Sequence, residues 1–210
     1  MYAWCLVGLV GLGEVLLGIA PRADRTTRAL ENFPVWLGLA LFVATHGKFP
    51  LTWLCITLLV LHAFVLMVGG YYTYAKVPLG FWVKDFFGFE RNHYDRLGHF
   101  AQGFVPAILV RELLVRQAGL ARKGWLPFLS ASVCLAVSAF YELIEWWAAL
   151  IGGEKADQFL GTQGDVWDTQ WDMCFALVGA MSALAFLSRW HDRSLARLRE
   201  EQLARGPDIG

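Results

Sequence analysis

The sequence predicts an all-α, polytopic helical membrane protein with about six transmembrane helices, and three observations carry that prediction. Apolar residues make up 57% of the chain and charged residues 17%, with a mean hydropathy of +0.45, a balance too apolar for an ordinary soluble domain. Ten Trp and fifteen Phe add aromatic bulk of the kind that anchors spans at membrane interfaces. The charges are gathered between apolar blocks instead of being spread through them, as a bilayer demands. At 210 residues the chain suits one domain. Residues 1–210 are therefore expected to form a single integral membrane domain, with 191–210 a charged cytoplasmic tail.

Composition also excludes several functions. A net charge of zero and a pI near 7.0 leave no basic footprint for nucleic acid. The four cysteines, Cys5, Cys55, Cys134 and Cys174, each sit inside an apolar segment and form no C-x-x-C pair, so they read as small core residues. No Ser-His-Asp order, phosphate loop, haem or nucleotide motif is present. The first apolar run lacks a basic n-region and a small-residue cleavage site, so it reads as a membrane helix that is retained.

Six spans can be marked in chain order. The first covers about Tyr2 to Ala20 and leads into the charged loop PRADRTTRALENF. The second, Pro34 to His46, is short for a span; it extends back to Ala29 or re-enters the membrane. The third, Leu51 to about Tyr74, ends in GYYTY, an interfacial aromatic belt. After the aromatic and charged loop VPLGFWVKDFFGFERNHY, the fourth starts near Asp95 and ends before Arg111. The fifth runs from Trp125 to Ile151, with Gly152 and Gly153 placed to stop it. The sixth runs from Asp168 to about Leu187.

Lys and Arg divide nearly evenly between the two sides of a six-span chain. Their densest short clusters are Arg111 to Lys123 and the tail, which places both, and the C-terminus, in the cytoplasm. The tail, RWHDRSLARLREEQLAR, reads as a solvated extension of the last span, with a basic amphipathic helix at the headgroups as the alternative.

The chemistry is concentrated at three helix ends. Asp95 and His99 lie four apart at the start of span four, and so share a face. Glu142 and Glu145 lie three apart near the far end of span five. Asp165, Asp168 and Asp172 share a face at the start of span six. Alternating spans bring the start of four, the end of five and the start of six to the same side of the membrane, whichever way the protein is inserted. At about 1.5 Å per residue, Glu142 lies roughly 26 Å along its helix from Trp125, which places the group just below the headgroups, within reach of water and lipid.

Some of these acids have an ordinary explanation. Asp165 and Asp168 resemble a helix cap with an acidic third position, and Asn92 with Asp95 resembles another. Glu142 and Glu145 do not, because they sit toward a helix C-terminus, where the macrodipole opposes negative charge. An acid in a span costs on the order of 2.5–3.5 kcal/mol at the helix centre and less near the interface. Six carboxylates cannot all be ionised and unpaired, and Arg96 and Lys155 do not balance them. Either some are protonated or a cation fills the gap. Oxygen ligands with one imidazole suit Mg, Mn, Ca or Fe. On this reading Glu142, Asp168 and Asp172 are metal ligands, and His99 or Glu145 is the general base. Asp95, Asp165 and Arg96 are further candidates, and loop 152–167 would be a lid. Glu14, alone in span one, is expected to pair with an Arg of the following loop, and His62 to be structural.

The strings NHYDRLGHFAQGFVPA, SAFYELIEWW and FLGTQGDVWDTQWDM closely resemble the YjdF-like family of bacterial inner-membrane proteins, most strongly over residues 90–193. That resemblance implies a small, multi-pass protein of the bacterial inner membrane and supplies no activity. A more distant similarity is to VanZ-like membrane proteins. Asp95, His99, Glu142, Asp168 and Gly179 follow that family's order, with Arg96 in place of a Lys, Glu145 of a Gln and Asp172 of an Asn. These replacements make the site more acidic. The VanZ-like resemblance points by analogy to lipid or envelope ligands.

Three function classes follow. In the first, the site binds a divalent cation and binds or acts on a lipid headgroup or lipid-linked envelope molecule. The second is cation- or proton-coupled transport, which predicts polar residues continuing through the bilayer; instead the spans turn apolar beyond the acids, in VPAILV, SVCLAV and FALVGAM. The third is a non-catalytic structural membrane protein.

Overall fold

The structure is a computed structural model that describes residues 2–121, 123–152 and 162–205, and its regular elements there are all helical. In chain order they are α1 (Tyr2–Ile19), α2 (Arg25–Thr45), α3 (Trp53–Tyr72), a 3₁₀ turn (Tyr74–Lys76), α4 (Pro78–Phe87), α5 (Tyr94–Arg116), α6 (Trp125–Gly152) and α7 (Asp168–Arg205). Among them α1, α3, α6 and α7 are both long and apolar enough to cross a bilayer. α2 and α5, of 21 and 23 residues, have the length of a span but carry more charge. Helices α1 and α2 pack on α3, while α5, α6 and α7 form a second group, and α3 joins the two by packing on α5.

Several boundaries differ from the sequence reading. α2 starts at Arg25, not near Pro34, because Asp24 caps it, accepting from the Thr26 and Thr27 backbone N–H groups at 3.0 Å. Pro34 lies inside the helix, where its missing N–H removes one ladder bond without ending the run. Polar residues in the first turns of α2 are tolerated because Glu31 and Asn32 face inward and are buried. The expected pairing of Glu14 is present: Arg28 reaches it at 2.8 Å.

The aromatic loop after α3 contains the short helix α4. Pro78 begins it and Gly88, at φ +70°, ends it in the left-handed conformation. Trp82, Phe86 and Phe87 stay exposed on it, as on a helix lying in the membrane interface.

α5 and α7 both run beyond their expected ends, for one electrostatic reason. Glu112, fully buried, accepts from the Thr52 backbone N–H at 3.0 Å, the Thr52 hydroxyl at 2.6 Å and Arg116 at 2.6 Å. His191 Nε2 lies 3.1 Å from it. Arg111 contacts His191 Nδ1 at 2.9 Å and donates to Asp192 at 2.8 Å. Charges that looked like a loop and a solvated tail are thus satisfied inside the protein, as buried charges must be. The segment from 191 onward is correspondingly not all solvated: His191, Ser194 and Leu195 are buried, whereas Leu203 is exposed.

α5 and α7 cross at backbone contact. A Cβ on Gly103 would collide with the Ala176 carbonyl, and one on Gly179 with the Phe100 carbonyl. Ala107, Ala180 and Ala183 continue the seam, each fully buried, as in the small-residue interfaces of membrane helices. Cys55 and Cys134 lie in the core beside these alanines, and all four cysteines are free.

Gly103→Leu and Gly179→Leu are each expected to cost more than the roughly 1–3 kcal/mol of ordinary overpacking, because rigid backbone meets the new atoms. A lowered melting temperature in detergent reads the effect. Two variants melting with the wild type would show that these backbones do not touch.

Candidate functional site

The two strings that open α5 and α7 dock onto each other. Gln163 pairs with the Asn92 backbone in both directions, accepting from its N–H at 3.0 Å and donating to its carbonyl at 2.8 Å. Asn92 in turn donates to the Val77 carbonyl and accepts from the Tyr94 N–H, both at 3.0 Å, tying α4 to α5. Arg91 donates to the Thr162 carbonyl at 3.0 Å and is ion-paired with Asp168 and, at 3.4 Å, with Asp165. Arg96 donates to Asp165 at 2.6 Å, with the Trp171 ring centroid 5.3 Å from its guanidinium carbon. Asp165 also accepts from the Trp167 N–H at 2.9 Å. That bond, followed by the Arg96 and Arg91 charges, holds its carboxyl below the usual range. α7 itself begins at Asp168, the expected start of the span and two residues later than a cap at Asp165 would place it.

Two acids of the expected constellation are thereby occupied with arginine. Asp165 and Asp168 belong to the clamp between loops, with Asp168 ion-paired to Arg91 beside the group formed by Glu142 and Asp172. Arg91 carries no signal of this in the sequence, since it lies three residues before the helix it helps to anchor.

Three further acids gather around His99. Its Nε2 lies 3.6 Å from Glu142 Oε1, 3.8 Å from Asp95 Oδ1 and 4.0 Å from Asp172 Oδ2. Asp95, His99 and Asp172 offer ligand atoms all within 4.8 Å of one another. His99, Glu142 and Asp172 are buried. His99 Nδ1, Glu142 Oε1 and Asp172 Oδ1 have no hydrogen-bond partner. Three helices therefore bring these four residues together. Separations of 3.6–4.0 Å exceed a hydrogen bond. Measured from His99 they fall within the roughly 3.0–4.2 Å between ligand atoms that share an ion at bonds of about 2.1 Å, while Glu142 stands outside the group of three that lies mutually within 4.8 Å.

Glu145 sits one turn beyond Glu142 and faces a partly open cavity of about 640 Å³ that Asp95 and His99 also line. α5 contributes Asp95, His99, Gln102, Pro106, Leu109 and Leu113 to its wall, the spacing of one helical face. Glu31 of α2 and Tyr141 of α6 join Asp95 and Glu145 at the polar end. His62 lines the same cavity, with Nε2 unpartnered. Glu31 was not singled out in the sequence, because it reads there as part of a charged loop. The proposed lid falls largely on residues 153–161, Lys155 included, which lie outside the described residues.

Arg91→Ala is expected to destabilise the fold by about 3–5 kcal/mol, the usual result of stranding a buried charge. Arg91→Met with Asp168→Leu should recover much of it; a double variant no better than the single one would remove the ion pair as the cause. Asp165 supplies a pH signature. A lowered folded pKa contributes stability above the unfolded value of about 3.9, lost as pH falls through the folded one. The stability gap between wild type and Asp165→Asn should therefore close in acid, and chemical unfolding at neutral and acidic pH would measure it.

The comparisons with known proteins agree with this architecture. The chain is 55% identical over 174 residues, 83% of each chain, to inner membrane protein YjdF of Escherichia coli (strain K12). No solved structure matches. Residues 2–193 match the family model described as predicted membrane protein (DUF2238), so this multi-pass inner-membrane chain belongs to the DUF2238 family.

Proposed function

We propose that Asp95, His99, Glu142 and Asp172 bind a divalent cation and, through it, hold or act on the headgroup of a lipid or lipid-linked envelope molecule. The observation that carries this reading is the geometry at His99: three carboxylates surround one imidazole nitrogen at distances too long for hydrogen bonds and suited to a shared ion. Three oxygens and an imidazole favour Mn or Fe within the Mg, Mn, Ca and Fe set. Such an ion would polarise a phosphoryl or carbonyl oxygen or activate a water molecule.

In this arrangement His99 is a ligand instead of a base, and Asp95 replaces Asp168 in the ligand set. Glu145, one turn away and facing the cavity, is placed to accept a proton from a bound molecule. A lipid is favoured over a transported ion by the lining beyond the acids. Pro34, Val35, Leu39, Pro106 and Leu109 dominate there, and a hydrated ion path would need a more continuous polar wall.

Elemental analysis of the detergent-purified protein, without chelators, tests the reading. Near-stoichiometric Mn or Fe is expected in the wild type. Glu142→Gln and Asp172→Asn should weaken binding by at least about 10–100-fold, the loss that even supporting groups produce. Asp168→Asn should retain the metal while losing stability. A folded wild type that takes up no metal when Mn or Fe is supplied sinks the proposal.

A further inference from the structure

The cavity beside the cation cluster has a shape and charge pattern of its own. It follows α5 from Asp95 to Gln117, twenty-two residues or about 33 Å, close to the roughly 30 Å of a bilayer's hydrocarbon core. Its volume of about 640 Å³ falls among ligand pockets of about 300–1,000 Å³. α2 packs on α3, and α6 packs on α5 and α7; both α2 and α6 line the cavity. Gly38 of α2 faces it with open space where a side chain would go.

Polarity is confined largely to one end. Glu31, Asp95 and Glu145 line it, and neither Lys nor Arg does. Glu31 is only 4% exposed, and its Oε2 has no partner. A buried carboxylate with one oxygen unpartnered is costly where it faces a cavity, and a bound cation offsets that cost. The opposite end, at Leu109 and Leu113, is mainly hydrocarbon, with Thr45 and Gln117 as its polar side chains.

We infer that this cavity takes one hydrocarbon chain of an amine-bearing lipid, with the chain along α5 and the ammonium between Glu31 and Glu145. The inference deepens the lipid-headgroup reading and rests on it, naming the lipid class; chain capture does not require the metal. A zwitterionic headgroup would place its amine at these two acids and its anionic group at the ion held by Asp95, His99, Glu142 and Asp172.

The test uses a long-chain alkylamine with a mid-chain diazirine, alongside the alcohol and the carboxylic acid of the same chain. Each is photolysed with the full-length protein in detergent, and labelled peptides are mapped. The amine should label α2 and α5 peptides that line the cavity at least about tenfold more than the acid does, the ratio that about 1.4 kcal/mol produces. Gly38→Phe, or Ala63→Phe on α3, should abolish cavity labelling by all three probes while leaving metal content unchanged. Glu31→Gln with Glu145→Gln should erase the preference for the amine but keep labelling by the alcohol.

Labelling confined to outward-facing surfaces and indifferent to Gly38→Phe would overturn the chain assignment. Equal labelling by amine and acid would overturn the headgroup assignment. Chelation separates this inference from the preceding one: cavity labelling by the amine should survive metal removal, and its loss on chelation would show that the acids at Glu31 and Glu145 do not hold the ammonium themselves.

Discussion

The approach of α5 and α7 at Gly103 and Gly179 governs most of what the protein presents at its polar end. Each glycine lies against a carbonyl of the other helix, a distance that no larger side chain permits. Both helices start on the same side of the molecule, so one turn back from the crossing leads on each to a functional position. From Gly103 that position is His99, and from Ala176 it is Asp172. A crossing held apart by even one methyl group would separate imidazole from carboxylate. The backbone contact therefore sets the dimensions of the acid cluster as well as the packing of the core.

The abundance of charge in an apolar chain becomes intelligible once the acids are sorted by their partners. Asp165 and Asp168 meet Arg91 and Arg96 and lock the two loops together. Glu112 and Asp192 meet Arg111, Arg116 and His191 at the other end. Breaking such buried groups is expensive, whereas the intact network adds modestly to stability and more to specificity of arrangement. Asp95, Glu142 and Asp172 crowd around one histidine, and Glu31 and Glu145 face a cavity. Among the described residues these two sets are the ones to which the proposed cation and lipid amine are assigned.

The two proposed ligands also fit one another. A cation at His99 and an ammonium at Glu31 and Glu145 would divide the negative charge of the region between them. The long apolar wall along α5 then supplies the hydrocarbon part of the binding energy, at about 25 cal/mol per Å² of surface removed from water. Binding of this kind places the headgroup by its charges and the chain by shape.

By itself the sequence determined the helical membrane class, the approximate positions of most long helices, and the gathering of three acid-bearing helix ends on one side of the membrane. Those follow from hydropathy, helical spacing and alternating direction, which are local or additive properties of the chain. It also supported the family assignment, through strings such as GTQGDVWDTQWDM. The tertiary structure alone decided which acids are paired. Arg91 lies 77 residues from Asp168, and no periodicity links them. The same holds for the early start of α2, where Asp24 caps and Glu31 turns inward, and for the continuation of α7 past His191, which depends on a glutamate on another helix. Charge in a sequence registers as polarity; whether it faces water, a counter-charge or a cavity is a matter of distances between segments that are remote along the chain.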